Sequence, residues 1–152
     1  ASSPPCPSST AYSASCADVS ITLDVTREPD DGYFDNVWLK KPFTADYWTK
    51  LPSADAQFTQ AFSETAPWNE THFKNARFTQ LLVKARATLD EEQRKGMYQE
   101  MQQLIHDESG AIIPMFGNYV WATSAKVKHQ EVLASKGDLD GFRIIERWWF
   151  EG

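Results

Sequence analysis

The residues in this chain that could move protons or hold a metal are numerous but poorly spaced for the task. Among its 21 acidic side chains, Asp46 with Asp55 and Glu64 with Glu70 are pairs that could act as acid and base on a glycoside or an ester. Spacing alone brings neither pair together, and a solvated face is the ordinary role for so many carboxylates. His72, His106 and His129 lie far apart, and none has a second histidine at helical spacing, so no zinc site is expected. His106 precedes Asp107 and Glu108 at the end of an expected helix, where a cation meets the helix dipole favourably. That role outweighs a catalytic dyad. No G-x-S-x-G, G-x-G-x-x-G or G-x-x-x-x-G-K-[ST] run occurs, which removes the common serine-hydrolase turn and the common phosphate cradles. Catalytic residues stay unassigned, and neither a metal nor a cofactor is expected.

Aromatic side chains say more. Trp48, Trp68, Phe116, Tyr119 and Trp121 fall near expected loops or strand ends, positions that suit an apolar wall for a ligand. Trp121 and the terminal pair Trp148 and Trp149 are expected in the core. Trp48 and Trp68 lie in the polar loops TADYWTKLPSAD and SETAPWNETHF, and loops on a rigid scaffold commonly carry binding groups. Asn69-Glu70-Thr71 matches a glycosylation acceptor, a pattern short enough to arise often by chance. Cys6 and Cys16 either close a short disulfide loop, worth roughly 3 kcal/mol on the entropic account, or remain two unpaired thiols.

A chain of 152 residues has room for one domain with a real core. Hydrophobic content of 41% argues for packing over disorder, and a net charge of −6 disfavours a nucleic-acid surface. Apolar runs stop well short of the roughly 20 residues that span a bilayer, and the first residues lack the basic start and apolar run of a signal peptide.

The elements that must position these residues alternate between strand and helix. Residues 1–11 are Ser/Pro-rich and are expected to be flexible, with the folded part running from 12 to 152. VSITLDVT (19–26) alternates apolar and polar residues as a half-buried strand does, and YFDNVWLKK spaces Tyr33, Phe34, Val37 and Trp38 as a short helix ended by Pro42. FTADYW reads as a strand, and Ser53 as the cap of a helix over 54–62. A helix over 75–89 puts Phe78, Leu81, Leu82, Ala85 and Leu89 on one stripe. Asp90 with Gln93 caps a second helix, which buries Met97, Tyr98, Met101, Leu104 and Ile105 and folds back antiparallel on the first. Gly110 closes it. AIIPMFGNYVWA and GFRIIERWWF then read as strands, the first interrupted by Pro114. The class is α/β, a mixed sheet flanked by helices.

SITLDVTREPDDGYFDNVWLKKPF, the W-x3-P-x2-D stretch of Trp48, Pro52 and Asp55, the WN of Trp68 and Asn69, the helical hairpin over 69–108 and IIPMFGNYV together resemble, from Tyr12 to about Glu151, the C-terminal lobe of family 5 extracellular solute-binding proteins. These are the dipeptide- and oligopeptide-binding components of ABC importers, and the resemblance implies part of a periplasmic-binding-protein type II lobe. In that family two lobes close about a peptide or other small solute and deliver it to a membrane permease, outside the cytoplasmic membrane. The resemblance places the loop from Trp48 to Asp55 near the cleft, makes Asp55 the match for the acid that meets a ligand's α-amino group, and adds Trp68, Asn69 and Phe116 as cleft residues.

Full members of the family have two lobes and several hundred residues, so this chain is expected to supply part of one lobe, with an apolar face left for self-association. The expected function is therefore solute binding, with a homo-oligomer and an ABC permease as partners. Two other classes stand beside it: a small esterase or glycosidase using a carboxylate, His or Ser at a surface made by self-association, and an inert structural or interaction fragment.

Overall fold

Three polar side chains set where the principal helices begin. In the computed structural model, which describes residues 7–118, 120–134 and 138–152, the hydroxyl of Ser53 accepts from Ala56 N at 3.2 Å, Asn75 Oδ1 from Phe78 N at 2.8 Å and Asp90 Oδ1 from Gln93 N at 2.8 Å. Each satisfies an amide that the first helical turn leaves without a partner. The helices they open are α3 (Ala54–Ala61), α4 (Ala76–Ala87) and α5 (Glu91–Glu108), preceded by α1 (Pro7–Ala17) and α2 (Tyr33–Asn36). Chain contacts divide the molecule into two units, Ala1–Tyr47 and Trp48–Gly152.

In the first unit α1 occupies part of the Ser/Pro-rich segment expected to be irregular. Pro7 stands at its first position, where a missing amide hydrogen costs nothing and φ is already helical. The expected strand over 19–26 is instead an irregular segment, with Val19 67% and Ile21 56% exposed. Alternation prepares a chain for a ladder, but this segment turns back on the end of α1, with Val19 N and Ile21 N donating to Cys16 O at 3.2 and 3.0 Å, Ser20 N to Ala17 O at 3.0 Å and Ser13 Oγ to Leu23 O at 2.8 Å. Cys16 is a half-buried free thiol, while Cys6 lies outside the described residues. The expected short helix is present as α2, entered through Gly32 at φ 75°, a left-handed conformation that glycine adopts without a Cβ penalty. Val37 just beyond it is buried.

The second unit is organised by the α4/α5 hairpin. Phe58 and Ala61 from α3, Phe73 from the preceding loop, Phe78, Leu81, Leu82 and Ala85 from α4, and Met101 and Ile105 from α5 are the buried apolar side chains, with Met97, Tyr98 and Leu104 packed against them. The i, i+3, i+4 spacing of the α4 set is what a helix needs to bury a single stripe. Leu89 is a correction: α4 stops at Ala87, and Leu89 stands 95% exposed in the turn between the helices.

The mixed sheet is also corrected. The described residues form a two-stranded antiparallel sheet of β1 (Val127–His129) and β2 (Trp148–Phe150), with Val127 opposite Phe150 and His129 opposite Trp148. FTADYW and the described part of AIIPMFGNYVWA run without ladder partners, and Ile112, Ile113, Met115, Phe116 and Val120 are all more than half exposed. Pro114 removes an amide donor in the middle of that run. GFRIIERWWF is only in part a strand. Its first half contributes to α6 (Asp138–Phe142), a turn wound left-handed at Leu139, Asp140 and Gly141 with φ of 50°, 59° and 69°, and to α7 (Ile144–Arg147). Left-handed backbone costs about 1–2 kcal/mol at a residue with a Cβ. The buried Asp140 carboxylate offsets that cost by accepting from Ala134 N, from Arg147 Nη1 at 3.0 Å and from Trp148 Nε1 at 3.2 Å. Trp121 and Trp148 are half-buried and meet at a tilt, ring centroids 6.1 Å apart, whereas Trp149, expected in the core, is 52% exposed.

Met101 has no exposed surface. Met101→Ala is expected to cost about 2–5 kcal/mol, read as a lower urea midpoint with an unchanged slope, while Leu89→Ala stays within about 0.5 kcal/mol of the parent.

Candidate functional site

The loop between α3 and α4 owes its shape to one amide side chain. Asn69 is only 7% exposed. Its Nδ2 donates to Phe73 O at 2.8 Å and Ser63 O at 3.3 Å, and its Oδ1 accepts from Phe73 N at 2.9 Å and from the Thr71 hydroxyl at 3.4 Å. A buried amide has to satisfy both its ends, and here each is satisfied within the loop. Asn69 therefore staples residues 63–73, and the glycosylation reading falls because this nitrogen is committed and buried. His72 takes φ 53° within the stapled turn, a conformation that histidine adopts more readily than most residues with a Cβ.

What the staple presents is an aromatic corner. Trp68 stands one residue before Asn69 with 42% of its surface exposed, and its ring meets that of Trp48 in a tilted edge-on arrangement, centroids 5.8 Å apart and planes at 63°. Such pairs contribute about 0.5–1.5 kcal/mol beyond the area they bury. Trp48 is oriented by its Nε1, which donates to Glu70 Oε1 at 2.7 Å. Trp68 and Glu70 of the stapled loop are thus brought together with Trp48 from the segment before α3. Glu70 was visible in the sequence only as one of many acids; its position two residues beyond Trp68, which puts it in the same stapled turn, is the signal that could have singled it out.

Asp55 belongs to a different arrangement from the one expected of it. It lies in the first turn of α3, where Arg86 grips it bidentately, Nε to Oδ1 at 2.8 Å and Nη2 to Oδ2 at 3.1 Å, and the Tyr98 hydroxyl donates to Oδ1 at 3.1 Å. The Arg86 hydrogen bond, aided by that of Tyr98, holds the carboxyl below its ordinary pKa, and burial opposes the shift. This acid ties α3 to α4 and α5. Phe116 is 89% exposed in the segment after α5, and Tyr119 lies outside the described residues. Of the expected cleft residues, the structure brings Trp48, Trp68 and Asn69 together.

Glu64 pairs with Lys74 at 3.5 Å, Glu70 with the Trp48 indole, and His106 Nδ1 contacts Asp107 Oδ1 at 2.7 Å on the exposed end of α5. Among the described residues no group of three His, Cys, Asp or Glu could hold a metal ion, and no helix is long and apolar enough to cross a membrane. A shallow apolar groove of about 410 Å³ lies elsewhere, between β1, α7 and β2, lined by Val127, Ile144, Ile145, Trp148 and Phe150 among others. Comparison with protein-family models, curated proteins and solved structures gives no match to this chain.

Because the folded state lowers the pKa of Asp55, its contribution to stability is present above the ordinary carboxylate range and is lost as pH falls through the lowered value. The pair is partly exposed, with side-chain accessibilities of 46% for Arg86 and 33% for Asp55, so solvent screens it. Asp55→Asn is expected to reduce stability at neutral pH by about 1 kcal/mol, and the difference from the parent should close as pH falls below the ordinary carboxylate range in an acid titration followed by circular dichroism.

Proposed function

We propose that the chain is a solute-binding fragment of the substrate-binding protein of an ABC importer, taking a peptide-like or other small polar ligand against Trp48 and Trp68. The observation that carries this reading is the indole corner. Two large amphipathic rings meet there, and the 42% exposed one, Trp68, sits on a loop whose backbone is fixed from within by Asn69. Sites for small ligands combine such aromatic walls with a few fixed polar groups, and a carboxylate already oriented by one ring supplies a polar group of that kind.

The resemblance to family 5 solute-binding proteins rests on stretches that include both tryptophans, which gives the reading its ligand class and its partner, a membrane permease reached outside the cytoplasmic membrane. Exposed apolar side chains fit the same picture. Ile112, Ile113, Met115, Phe116 and Val120 are 55–90% exposed along one run, as on a lobe surface that another lobe or another copy covers.

Titration of tryptophan fluorescence with dialanine, trialanine and tetraalanine is expected to be saturable, and Trp68→Ala should weaken binding at least about tenfold with the circular dichroism spectrum unchanged. Equal affinity in the variant would remove Trp68 from the site. Sedimentation equilibrium should give a mass above that of one chain. A strictly monomeric mass over a wide concentration range would remove self-association from the account.

A further inference from the structure

We propose that the open edge of β2 pairs antiparallel with the same edge of a second copy across a two-fold axis at Phe150, joining two hairpins into one four-stranded sheet. This gives the self-association expected above a surface and rests on that expectation, not on solute binding. The ladder decides which backbone groups face outward. Glu151 N donates to Lys126 O at 2.8 Å, and with Val127 opposite Phe150 this makes Lys126/Glu151 and Lys128/Trp149 the hydrogen-bonded pairs. The N–H and C=O of Trp148 and Phe150 therefore point away from β1. Trp148 N–H donates to Ile144 O at the end of α7, which leaves the Trp148 C=O and both groups of Phe150 without partners among the described residues. On the outer edge of β1, Val127 N already donates to Ser124 O at 2.9 Å, so β2 is the freer edge. Its Trp-Trp-Phe run also lacks the proline or lysine that commonly blunts an edge.

The free groups match their own image. With Phe150 on the axis, the two Phe150 residues exchange N–H···O=C bonds, and each Gly152 N–H donates to the other copy's Trp148 C=O. Those four bonds never require the Trp148 N–H. A register with Trp148 opposite Phe150 would need that committed hydrogen, so the edge fits a second copy in one register, the self-complementary contact of a two-fold dimer. Side chains agree. Phe150, 79% exposed, projects on the same face as Val127 and Trp148, and all three line the apolar groove beside Ile144 and Ile145. Pairing sets the two Phe150 rings opposite one another as an aromatic cross-strand pair. On the other face Lys128 meets Glu151 at 3.0 Å, so the pair brings no net charge to the junction. A two-stranded sheet with three residues in each strand is marginal alone, and further strands are what stabilise it.

Sedimentation equilibrium and amide hydrogen exchange on the full chain test the pairing. The parent is expected to associate. As its concentration rises through the association range, the Phe150 and Gly152 amides should exchange at least about tenfold more slowly, while those of Trp149 and Glu151, which face β1 in either state, change little. Phe150→Pro removes the outward N–H and spares the bonds to β1, so it should weaken association at least about tenfold, whereas Ile113→Lys, on the exposed run after α5, should not. A parent that stays monomeric, Phe150 and Gly152 amides that exchange equally fast at every concentration, or association weakened by Ile113→Lys and not by Phe150→Pro would each overturn the pairing. The last result would leave self-association standing through the other surface, and the peptide titration above decides solute binding separately. The exchange pattern is read on the parent, so poor folding of a variant does not shelter the claim.

Discussion

The second unit depends on the contact between α4 and α5, whose facing side chains are shut off from solvent. Phe78 and Ala85 on α4 and Met101 on α5 are at most 1% exposed, and Phe58 of α3 closes the same core through ring contacts with Phe78 at 5.6 Å and Tyr98 at 5.9 Å. Burial of this kind stabilises by roughly 25 cal/mol for each Å² of apolar surface removed from water. The polar links over the core's edge depend on it in turn. The Asp55–Arg86–Tyr98 cluster and the Arg77–Glu100 pair, whose Nε lies 2.6 Å from Oε1, are exposed or half-exposed interactions worth little alone, but they act between helices already packed. They set orientation more than they supply energy.

The loop that carries Trp68 inherits its order from that platform through Phe73. Phe73 is buried in the helical core, and its backbone N–H and C=O are the groups that Asn69 engages. The amide of Asn69 thus does for an irregular loop what a ladder does for a strand, giving buried backbone groups partners. Trp68 and Glu70, on either side of it, are held in place as a consequence, and the Glu70 carboxylate then fixes the Trp48 ring across 22 residues of sequence. The order of causes runs from core to staple to corner.

The helical part of this arrangement was legible in the residues because its determinants are local. Caps at Ser53, Asn75 and Asp90 act within three residues, and the 3.6-residue stripe of α4 and α5 is written in consecutive turns. Strands were not legible in the same way. Val19 to Thr26 alternates well, yet alternation states only that a ladder would have a dry face, and the partner strand is a separate fact. The left-handed turn at Leu139–Gly141 was hidden for a similar reason, since its compensation comes from Arg147, Trp148 and Ala134 in three dimensions. The site was half legible. Trp48, Trp68 and Asn69 could be picked from loop context, but Asn69 turned out to act on the backbone, Asp55 on Arg86, and Glu70 was lost among the other acids because its meaning depends on a partner far away in sequence.

The central claim is that the Trp48–Trp68–Glu70 corner is where a small solute rests. A crystal structure of the chain soaked in trialanine addresses it most directly. Peptide density against the exposed face of Trp68, with the Asp55–Arg86 pair undisturbed, is the predicted result. Ordered peptide in the apolar groove between β1, α7 and β2, or at Asp55 with Arg86 displaced, and none at the indole corner, would contradict it.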